Sequence, residues 1–329
     1  MSRAILITGG TGSFGNAFVE KILNSPEFSR VIVFSRDEMK QWEMAKRFED
    51  SRLRFFLGDV RDPERLSRAM RGVDIVVHAA ATKIVPTIEY NPLEAVKTNI
   101  NGASNVINSA LDNNVQKVVA LSTDKASAPI NLYGATKLVS DKLFVAANNY
   151  SGKSGPIFSV VRYGNVMGSR GSILPFLLSL GSSEKVPLTD SRMTRFMITL
   201  EQGVNLVETT MEEMRGGEIF VKRIPSMRVT DMIEAVRPEL QVEEIGIRPG
   251  EKLHEQMIGS EDAINTYEYD GYYKILPAIN GWHESEERIQ GGRKVSEDFT
   301  YESNNNHVWM SDDHLRSWIN ENWSAIGQI

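Results

Sequence analysis

Two acid–base pairs lie close together in the stretch STDKASAPINLYGATK, from Ser122 to Lys137. Tyr133 and Lys137 are four residues apart and share one face if this stretch is helical. A lysine ammonium beside a phenol favours the phenolate, so Tyr133 can accept a proton near neutral pH while a hydride leaves a carbon. Asp124 and Lys125 add a second acid and a second amine. This pair predicts a further proton-transfer step, although a solvated ion pair in a loop is the alternative.

A glycine-rich segment, TGGTGSFG, runs from Thr8 to Gly15 between a predicted strand and a predicted helix. Gly9 and Gly12 let the backbone turn and approach a diphosphate, while Gly15 lets the helix pack on the strand. The first N–H groups of the helix then face the anion. In this strand, turn and helix context the segment predicts a dinucleotide-binding loop rather than a turn that binds nothing.

The residues after the next predicted strand bear on the choice of dinucleotide. About twenty residues past the last glycine, where an acidic residue binds the ribose of NAD, the sequence has Ser35 and Arg36. This favours the 2′-phosphate of NADP. Alternatively, Ser35 caps the next helix with Glu38 completing a capping box, and Asp37 can still hold a ribose hydroxyl.

Two further strand ends belong to the same candidate site. Asp59 and Val60 follow a predicted strand and are candidates to hold the adenine. The segment HAAATK (78–83) places small residues and Lys83 where the diphosphate and the substrate would meet. Tight packing explains the alanines equally well.

The first half of the chain predicts a doubly wound α/β fold. Near-continuous apolar runs, which indicate buried parallel strands, lie at 4–8, 30–35, 53–59, 73–81, 117–123 and 158–164. Helices are expected near 13–24, 37–49, 62–71, 93–112 and 132–150. The alternation breaks down at about Asn165, so we expect a cofactor domain at 1–165 and a smaller, mixed α/β substrate-binding region at 166–329, with some segments returning to the first domain. A short terminal helix is expected at DDHLRSWINENW.

Composition excludes several classes of function. The chain has 329 residues, a net charge of −6 and no cysteine, so neither a nucleic-acid stripe nor thiolate chemistry is indicated. Its five dispersed histidines make no metal-ligand pattern, and no metal is expected. No apolar run approaches the ~20 residues of a membrane span, and AILIT begins too early and is too short for a signal peptide. A cytoplasmic setting without a membrane partner is the expectation.

These motifs together resemble the extended short-chain dehydrogenase/reductase family. Within it, STDKASAPINLYGATK, TGGTGSFG, FSRDE, GDVRD, VRYGNVMGSRGS, TRF and IRPGEKLHE resemble the inverting UDP-N-acetylglucosamine 4,6-dehydratases that begin pseudaminic acid synthesis. The resemblance runs from Ala4 to about His254. Retaining, membrane-anchored relatives typically have methionine where this chain has Tyr133. The resemblance thus favours the inverting, soluble type with a Rossmann-type fold, NADP as cofactor and a homo-oligomeric assembly built on helices 93–112 and 132–150.

The resemblance also implies which residues bind. The candidate cofactor contacts are Gly9, Thr11, Gly12, Ser13, Phe14, Gly15, Ser35, Arg36, Asp37, Lys40, Asp59, Val60, Ala79, Lys83, Thr98, Asn99, Tyr133, Lys137, Val166, Gly168 and Arg170. The candidate substrate contacts are Lys83, Asn165, Thr189, Arg248 and Glu251. Arg195 and Arg228 are weaker candidates and stand outside this set.

The implied reaction gives the second acid–base pair a purpose. Oxidation of the sugar at C4 makes the C5 hydrogen acidic, and Lys125 is the candidate base, with a pKa lowered by burial beside other cations. Asp124, its pKa raised by burial, is the candidate acid for the departing C6 hydroxyl. A hydride then returns to C6, and a proton added to the opposite face inverts C5.

Three rival functions remain open from sequence. A nucleotide-sugar 4-epimerase shares the fold, the cofactor and Tyr133 with Lys137, but does not need Asp124 and Lys125. A retaining 4,6-dehydratase differs only in the outcome at C5. A non-catalytic NADP-binding sensor or scaffold would tolerate the loss of Tyr133 or Lys137, yet all four side chains are present.

Overall fold

The computed structural model describes residues 3–152, 154–169, 171–181, 184–278 and 286–327. The strands are, in chain order, β1 (Arg3–Thr8), β2 (Phe28–Ser35), β3 (Leu53–Leu57), β4 (Ile75–His78), β5 (Lys117–Leu121), β6 (Ile157–Arg162), β7 (Val186–Leu188), β8 (Thr194–Phe196), β9 (Ile219–Lys222), β10 (Ser226–Arg228), β11 (Val242–Glu244), β12 (Gln256–Ile258), β13 (Thr266–Tyr269), β14 (Tyr272–Ile275), β15 (Arg293–Lys294) and β16 (Tyr301–Glu302).

The α-helices are, in chain order, α1 (Ser13–Leu23), α2 (Glu38–Arg47), α3 (Pro63–Ala69), α4 (Val85–Tyr90), α5 (Pro92–Ala95), α6 (Gly102–Asp112), α7 (Leu132–Ala147), α8 (Ile173–Ser179), α9 (Leu200–Glu213), α10 (Val229–Val236), α11 (Ser260–Ala263), α12 (Glu286–Ile289) and α13 (Asp312–Asn322). A π-helical turn spans Val96–Asn101, and a 3₁₀ turn spans Asp124–Ala126.

The main sheet confirms the doubly wound α/β fold. Its strand order is β15-β13-β14-β9-β6-β5-β4-β1-β2-β3, and β3 to β9 in this order are parallel. All of β4 and nearly all of β1 are buried, as expected for strands covered on both faces. The chain builds outward from β1 in one direction and then resumes on its other side with β4. This reversal opens a crevice at the carboxyl ends of β1 and β4, where such folds bind ligands.

The main sheet extends beyond the boundary expected at residue 165. After β6 the chain forms α9, which was not predicted, and returns as β9 parallel to β6. A capping box between Thr199 and Gln202 begins α9. The antiparallel strands β14, β13 and β15 then complete the sheet. Segments 200–222 and 266–275 therefore belong structurally with the main sheet, because α9 packs against α1, β5 and β6 while β9, β13 and β14 continue the sheet.

The smaller region has its own apolar cores. Helices α8, α10 and α13 share a cluster of buried side chains that includes Leu174, Met232 and Leu315. Short two-stranded sheets, β7 with β11, β8 with β10, and β12 with β16, connect this region. The terminal helix expected from DDHLRSWINENW is present as α13. Within the described residues, no helix is long and apolar enough to cross a membrane.

The stretch between β4 and β5 differs most from the expected elements. The single helix expected at 93–112 is divided into α5, the π-helical turn and α6, and α4 was not predicted. The π turn carries Thr98 and Asn99, both buried. Such turns insert one extra residue per turn and frequently lie at functional sites.

Candidate active site

The loop from β1 to α1 has the geometry of an anion site. Gly12 is the N-cap of α1, and neither a capping side chain nor an acidic residue serves the first turn. Its N–H groups can therefore bind an external anion. Gly9 has φ +66°, and a Cβ there would lie 2.8 Å from the nitrogen of Ala80. At Gly15 a Cβ would lie 2.3 Å from the oxygen of Gly10, so close packing requires both glycines.

The other residues of this loop surround the same helix end. Thr11, Ser13 and Phe14 are partly buried, and the Phe14 ring stacks on Phe18 with centroids 5.4 Å apart. These side chains line the crevice at the carboxyl end of β1. The residues present therefore fit a dinucleotide diphosphate.

The structure at the end of β2 excludes one of the two roles considered for Ser35, that of helix N-cap. The N-cap of α2 is Asp37, whose side chain accepts a hydrogen bond of 3.0 Å from the nitrogen of Lys40. Ser35 is buried instead, and its hydroxyl accepts a hydrogen bond of 3.2 Å from Gln41. The capping-box reading of Ser35 with Glu38 is thus wrong, because β2 continues through Ser35.

Arg36 lies at the edge of the crevice. Its guanidinium is mostly exposed and 3.6 Å from Asp59 at the end of β3. Burial acts to raise the pKa of Asp59, but hydrogen bonds from Arg61 outweigh it and lower that pKa. Val60, beside Asp59, packs under Gly102 of α6. The end of β2 therefore carries a solvent-facing cation.

A polar network joins the end of β4 to α7. Asn99 is buried; its side chain accepts a hydrogen bond of 2.9 Å from the nitrogen of Thr82 and donates one of 3.0 Å to Thr136. Thr136 in turn donates to the carbonyl of Tyr133 at 2.8 Å. The loop after β4 carries the exposed Lys83, and the nitrogen of Ala79 donates to Thr8 at 3.1 Å.

Tyr133 and Lys137 lie on α7, as the spacing predicts. Asn131 caps this helix by accepting a hydrogen bond of 2.8 Å from the nitrogen of Gly134. Burial lowers the pKa of Lys137, which the charge of Asp141 partly offsets. Burial raises the pKa of Tyr133 to about 12, and the main opposing charge is that of Lys125. The charge that opposes this rise comes from Lys125 rather than from Lys137, the residue expected to act on Tyr133.

The 3₁₀ turn after β5 holds Asp124 and Lys125. Asp124 is 1% exposed, which rules out a solvated loop pair. The Lys125 ammonium is 3.1 Å from Oδ1 of Asp124, 3.5 Å from Oε1 of Glu255 and 3.3 Å from Oδ1 of Asn165. Burial acts to lower the pKa of Lys125, but Asp124 and Glu255 outweigh it and raise that pKa above its usual value. The expected cationic surroundings of Lys125 are wrong, because carboxylates surround it.

Glu255 is a site residue that sequence reasoning missed. It lies just before β12, is 4% exposed, and is 3.8 Å from Nε of Arg195 as well as close to Lys125. Burial and repulsion from Asp124 raise the pKa of Glu255. The only sequence signal was its place in RPGEKLHE, where Arg248 and Glu251 were chosen instead.

Three of the candidate substrate residues, Thr189, Arg248 and Glu251, form a neighbouring cluster, whereas Asn165 contacts Lys125 and Lys83 lies on the loop after β4. Thr189 donates to Oε2 of Glu251 at 3.2 Å, and Nε of Arg248 is 3.9 Å from the same oxygen. Arg195, which sequence reasoning left out, lies 3.7 Å from Oε1 of Glu251 and connects this cluster to Glu255. Arg228 lies apart, with its guanidinium 5.9 Å from the centre of the Trp309 ring.

The segment after Asn165 is held by the C-terminal end of the chain. Val166 pairs with Ile198, and a Cβ at Gly168, whose φ is +69°, would lie 2.9 Å from Trp318 of α13. The nitrogen of Gly327 donates to the oxygen of Gly168 at 2.9 Å. Arg170 lies outside the described residues.

Comparisons with known proteins agree with this fold and identify related families of enzymes. Residues 5–277 match the family described as "Polysaccharide biosynthesis protein". A protein of Campylobacter jejuni named "UDP-N-acetylglucosamine 4,6-dehydratase (inverting)" is 54% identical over 97% of both chains. A "UDP-glucose 4-epimerase" of Rickettsia akari is 39% identical over 91% of both. The solved structure of "Pen from Bacillus thuringiensis" is 34% identical, covers 98% of both chains and has a TM-score of 0.88.

Proposed function

Because this chain belongs to the polysaccharide biosynthesis protein family and has the extended short-chain dehydrogenase/reductase fold, we propose that it is a nucleotide-sugar 4,6-dehydratase. Its proposed substrate is UDP-N-acetylglucosamine. The proposed product is UDP-2-acetamido-2,6-dideoxy-β-L-arabino-hex-4-ulose, formed with inversion at C5 as the first step of pseudaminic acid synthesis. The relative of 54% identity and its printed name support this choice.

The observation that carries the proposal is the meeting of two acid–base pairs at one end of the sheet. The hydroxyl of Thr123 donates to Oδ1 of Asp124 at 2.9 Å, and the same side chain hydrogen-bonds Tyr133. Lys125, next in the chain, acts electrostatically on Tyr133. An enzyme that only oxidises and reduces C4 needs one proton acceptor, whereas expelling water across C5 and C6 needs a base and an acid as well.

The chain's residues divide between the steps as follows. Bound NADP would supply hydride acceptance from C4 and its return to C6. Tyr133, in its phenolate form, takes the proton of the C4 hydroxyl; burial raises its pKa to about 12, and the charge of Lys125 opposes part of that rise. Lys125 removes the C5 proton once it has lost one of its own. Asp124, whose Oδ2 has no hydrogen-bond partner among the described residues, must carry a proton on that oxygen, and it gives this proton to the departing C6 hydroxyl.

The test separates the two pairs by the step that each one serves. The purified protein is incubated with UDP-N-acetylglucosamine in deuterated water, and the products are followed by NMR. Tyr133→Phe should form no ketone. Lys125→Ala should oxidise C4 reversibly but lose about a hundred- to ten-thousand-fold in C5 exchange and dehydration, since one positioned base is missing. Asp124→Asn should retain C5 exchange while water loss slows.

The same spectra discriminate the rivals. A 4-epimerase, the named activity of the Rickettsia relative, would give a C4 epimer that keeps its C6 hydroxyl. A retaining dehydratase would give the same keto sugar without C5 inversion. If the unmodified protein forms no 6-deoxy-4-keto product, or if Lys125→Ala dehydrates at the normal rate with deuterium entering C5, the assigned function or the assigned base is wrong.

We propose NADP rather than NAD as the cofactor, because Arg36 is an exposed cation at the end of β2, where the ribose of a dinucleotide would lie. Replacing it in Arg36→Asp removes one charge-assisted contact to the 2′-phosphate and should weaken NADP binding about tenfold to a hundredfold, with a shift toward NAD. Nucleotide released on denaturation identifies the cofactor. Arg68→Asp, an exposed charge reversal on α3, should leave this preference unchanged. Recovery of NAD alone from the unmodified protein would refute the assignment.

We also propose a homo-oligomer, built on a surface made of Tyr90, Leu93 and Val139. These side chains are 88%, 70% and 41% exposed on α4, α5 and α7, which pack against one another. Exposed apolar side chains on adjacent helices indicate an interface. Leu93→Lys should lower the mass measured by light scattering at micromolar concentration, whereas Met39→Lys on α2 should not. A monomeric unmodified protein would contradict the proposal.

A further inference from the structure

The proposed mechanism gives no role to Glu255, a buried carboxyl group beside the candidate base. Glu255 is 4% exposed, and its Oε1 lies 3.5 Å from the Lys125 ammonium and 3.8 Å from Nε of Arg195. Its Oε2 is buried without a hydrogen-bond partner among the described residues. A buried carboxyl group with one oxygen lacking a hydrogen bond costs free energy of folding. Its position beside the candidate base therefore suggests a role in the reaction.

The backbone fixes Glu255 from both sides. Its nitrogen donates to the hydroxyl of Ser303 at 2.9 Å, and its oxygen accepts from the nitrogen of Ser303 at 2.8 Å. The Ser303 hydroxyl is also 2.6 Å from that of Thr194 on β8. Residues far apart in the chain thus place this carboxylate against the 3₁₀ turn that carries Lys125.

The surroundings of Lys125 create a chemical problem. With Asp124 at 3.1 Å and Glu255 at 3.5 Å, the side chain rests as an ammonium, which cannot take a proton from C5. One proton must leave it first. Asp124 can act as the acid for the C6 hydroxyl only if it already carries a proton, and a protonated Asp124 cannot accept another from Lys125. Among these close contacts Glu255 is therefore the remaining acceptor.

We propose that Glu255 is the positioning residue and proton acceptor for Lys125, an inference that rests on the proposed function. An N–H bond of the ammonium breaks and an O–H bond forms on Glu255. The lone pair left on the Lys125 nitrogen then bonds to the C5 hydrogen, and the C5–H electron pair moves toward the C4 carbonyl. The net change is transfer of the C5 proton to Glu255 through Lys125, with Lys125 again an ammonium.

Burial favours this transfer. Taking water away disfavours both the ammonium and the carboxylate, and proton transfer neutralises both at once. Among the described residues, the ionisable groups that act on Glu255 include Asp124, which raises the pKa of Glu255 when it is ionised. Lys125, Arg195 and Lys252 lower that pKa. The net effect of burial and these charges is a raised pKa for Glu255, so it accepts a proton more readily than an exposed glutamate.

The test is Glu255→Gln, which keeps the shape of the side chain but cannot accept the proton. With UDP-N-acetylglucosamine in deuterated water at pH 7, C5 exchange should fall about a hundred-fold or more, while the absorbance of reduced nicotinamide shows C4 oxidation intact. Exchange by the variant should rise with pH, since Lys125 must then lose its proton to solvent. Glu255→Asp should recover part of the rate with the unmodified pH profile. Glu302→Gln, a nearby carboxylate change without contact to Lys125, should behave like the unmodified protein.

Several results would overturn the role of Glu255. They are C5 exchange in Glu255→Gln within a few-fold of normal, a parallel loss of C4 oxidation, or a pH profile identical to that of the unmodified protein. If Glu255→Gln does not fold, Glu255→Asp provides the test. Its shorter carboxylate should slow C5 exchange and spare C4 oxidation. An unchanged rate of C5 exchange in Glu255→Asp refutes the proposal. An unmodified protein that neither exchanges C5 nor dehydrates would instead refute the proposed function.

Discussion

A lysine ammonium held between two buried carboxylates joins the two halves of this protein. Lys125 and Asp124 come from the turn after β5, while Glu255 comes from the smaller region just before β12. Burying a charge away from water costs free energy unless an opposite charge lies beside it. The lysine of the first half and the glutamate of the smaller region therefore compensate each other. Any rearrangement that withdraws β12 from β5 would leave a buried charge uncompensated. The site and the packing of the two regions therefore depend on the same contacts.

This arrangement also accounts for the irregular architecture of the second half. The short strands β12 and β16 bury apolar side chains in the main core, and they also fix backbone positions around Ser303, Thr194 and Glu255. Arg195 of β8 connects Glu255 to Glu251 in the neighbouring substrate cluster. The C-terminal residues add a further constraint, because Trp318 and Gly327 contact Gly168. The region beyond residue 260 thus supports the site rather than standing apart from it.

Sequence reasoning was accurate where a local pattern determines the outcome. The strand periodicity predicted β1 to β6, and the four-residue spacing placed Tyr133 and Lys137 on α7. It was inaccurate where residues distant in the chain determine a property of the site or the path of the chain. The pKa of Lys125 was expected to be lowered, but the charges of Asp124 and then of Glu255 raise it, and no local spacing connects Glu255 to Lys125. The return of α9 and β9 to the main sheet was missed in detail, since polar motifs around residue 165 masked a renewed strand and helix alternation.

The central claim, that buried carboxylates hold Lys125 as an ammonium, can be measured directly. Lysine side-chain nitrogens labelled with ¹⁵N can be followed by NMR across a pH titration, with Lys125 assigned by its absence in Lys125→Arg. The account predicts that this nitrogen keeps its proton to a pH above the ordinary lysine value, and that Glu255→Gln lowers its pKa. A Lys125 nitrogen that titrates at or below the ordinary value in the unmodified protein would contradict the account.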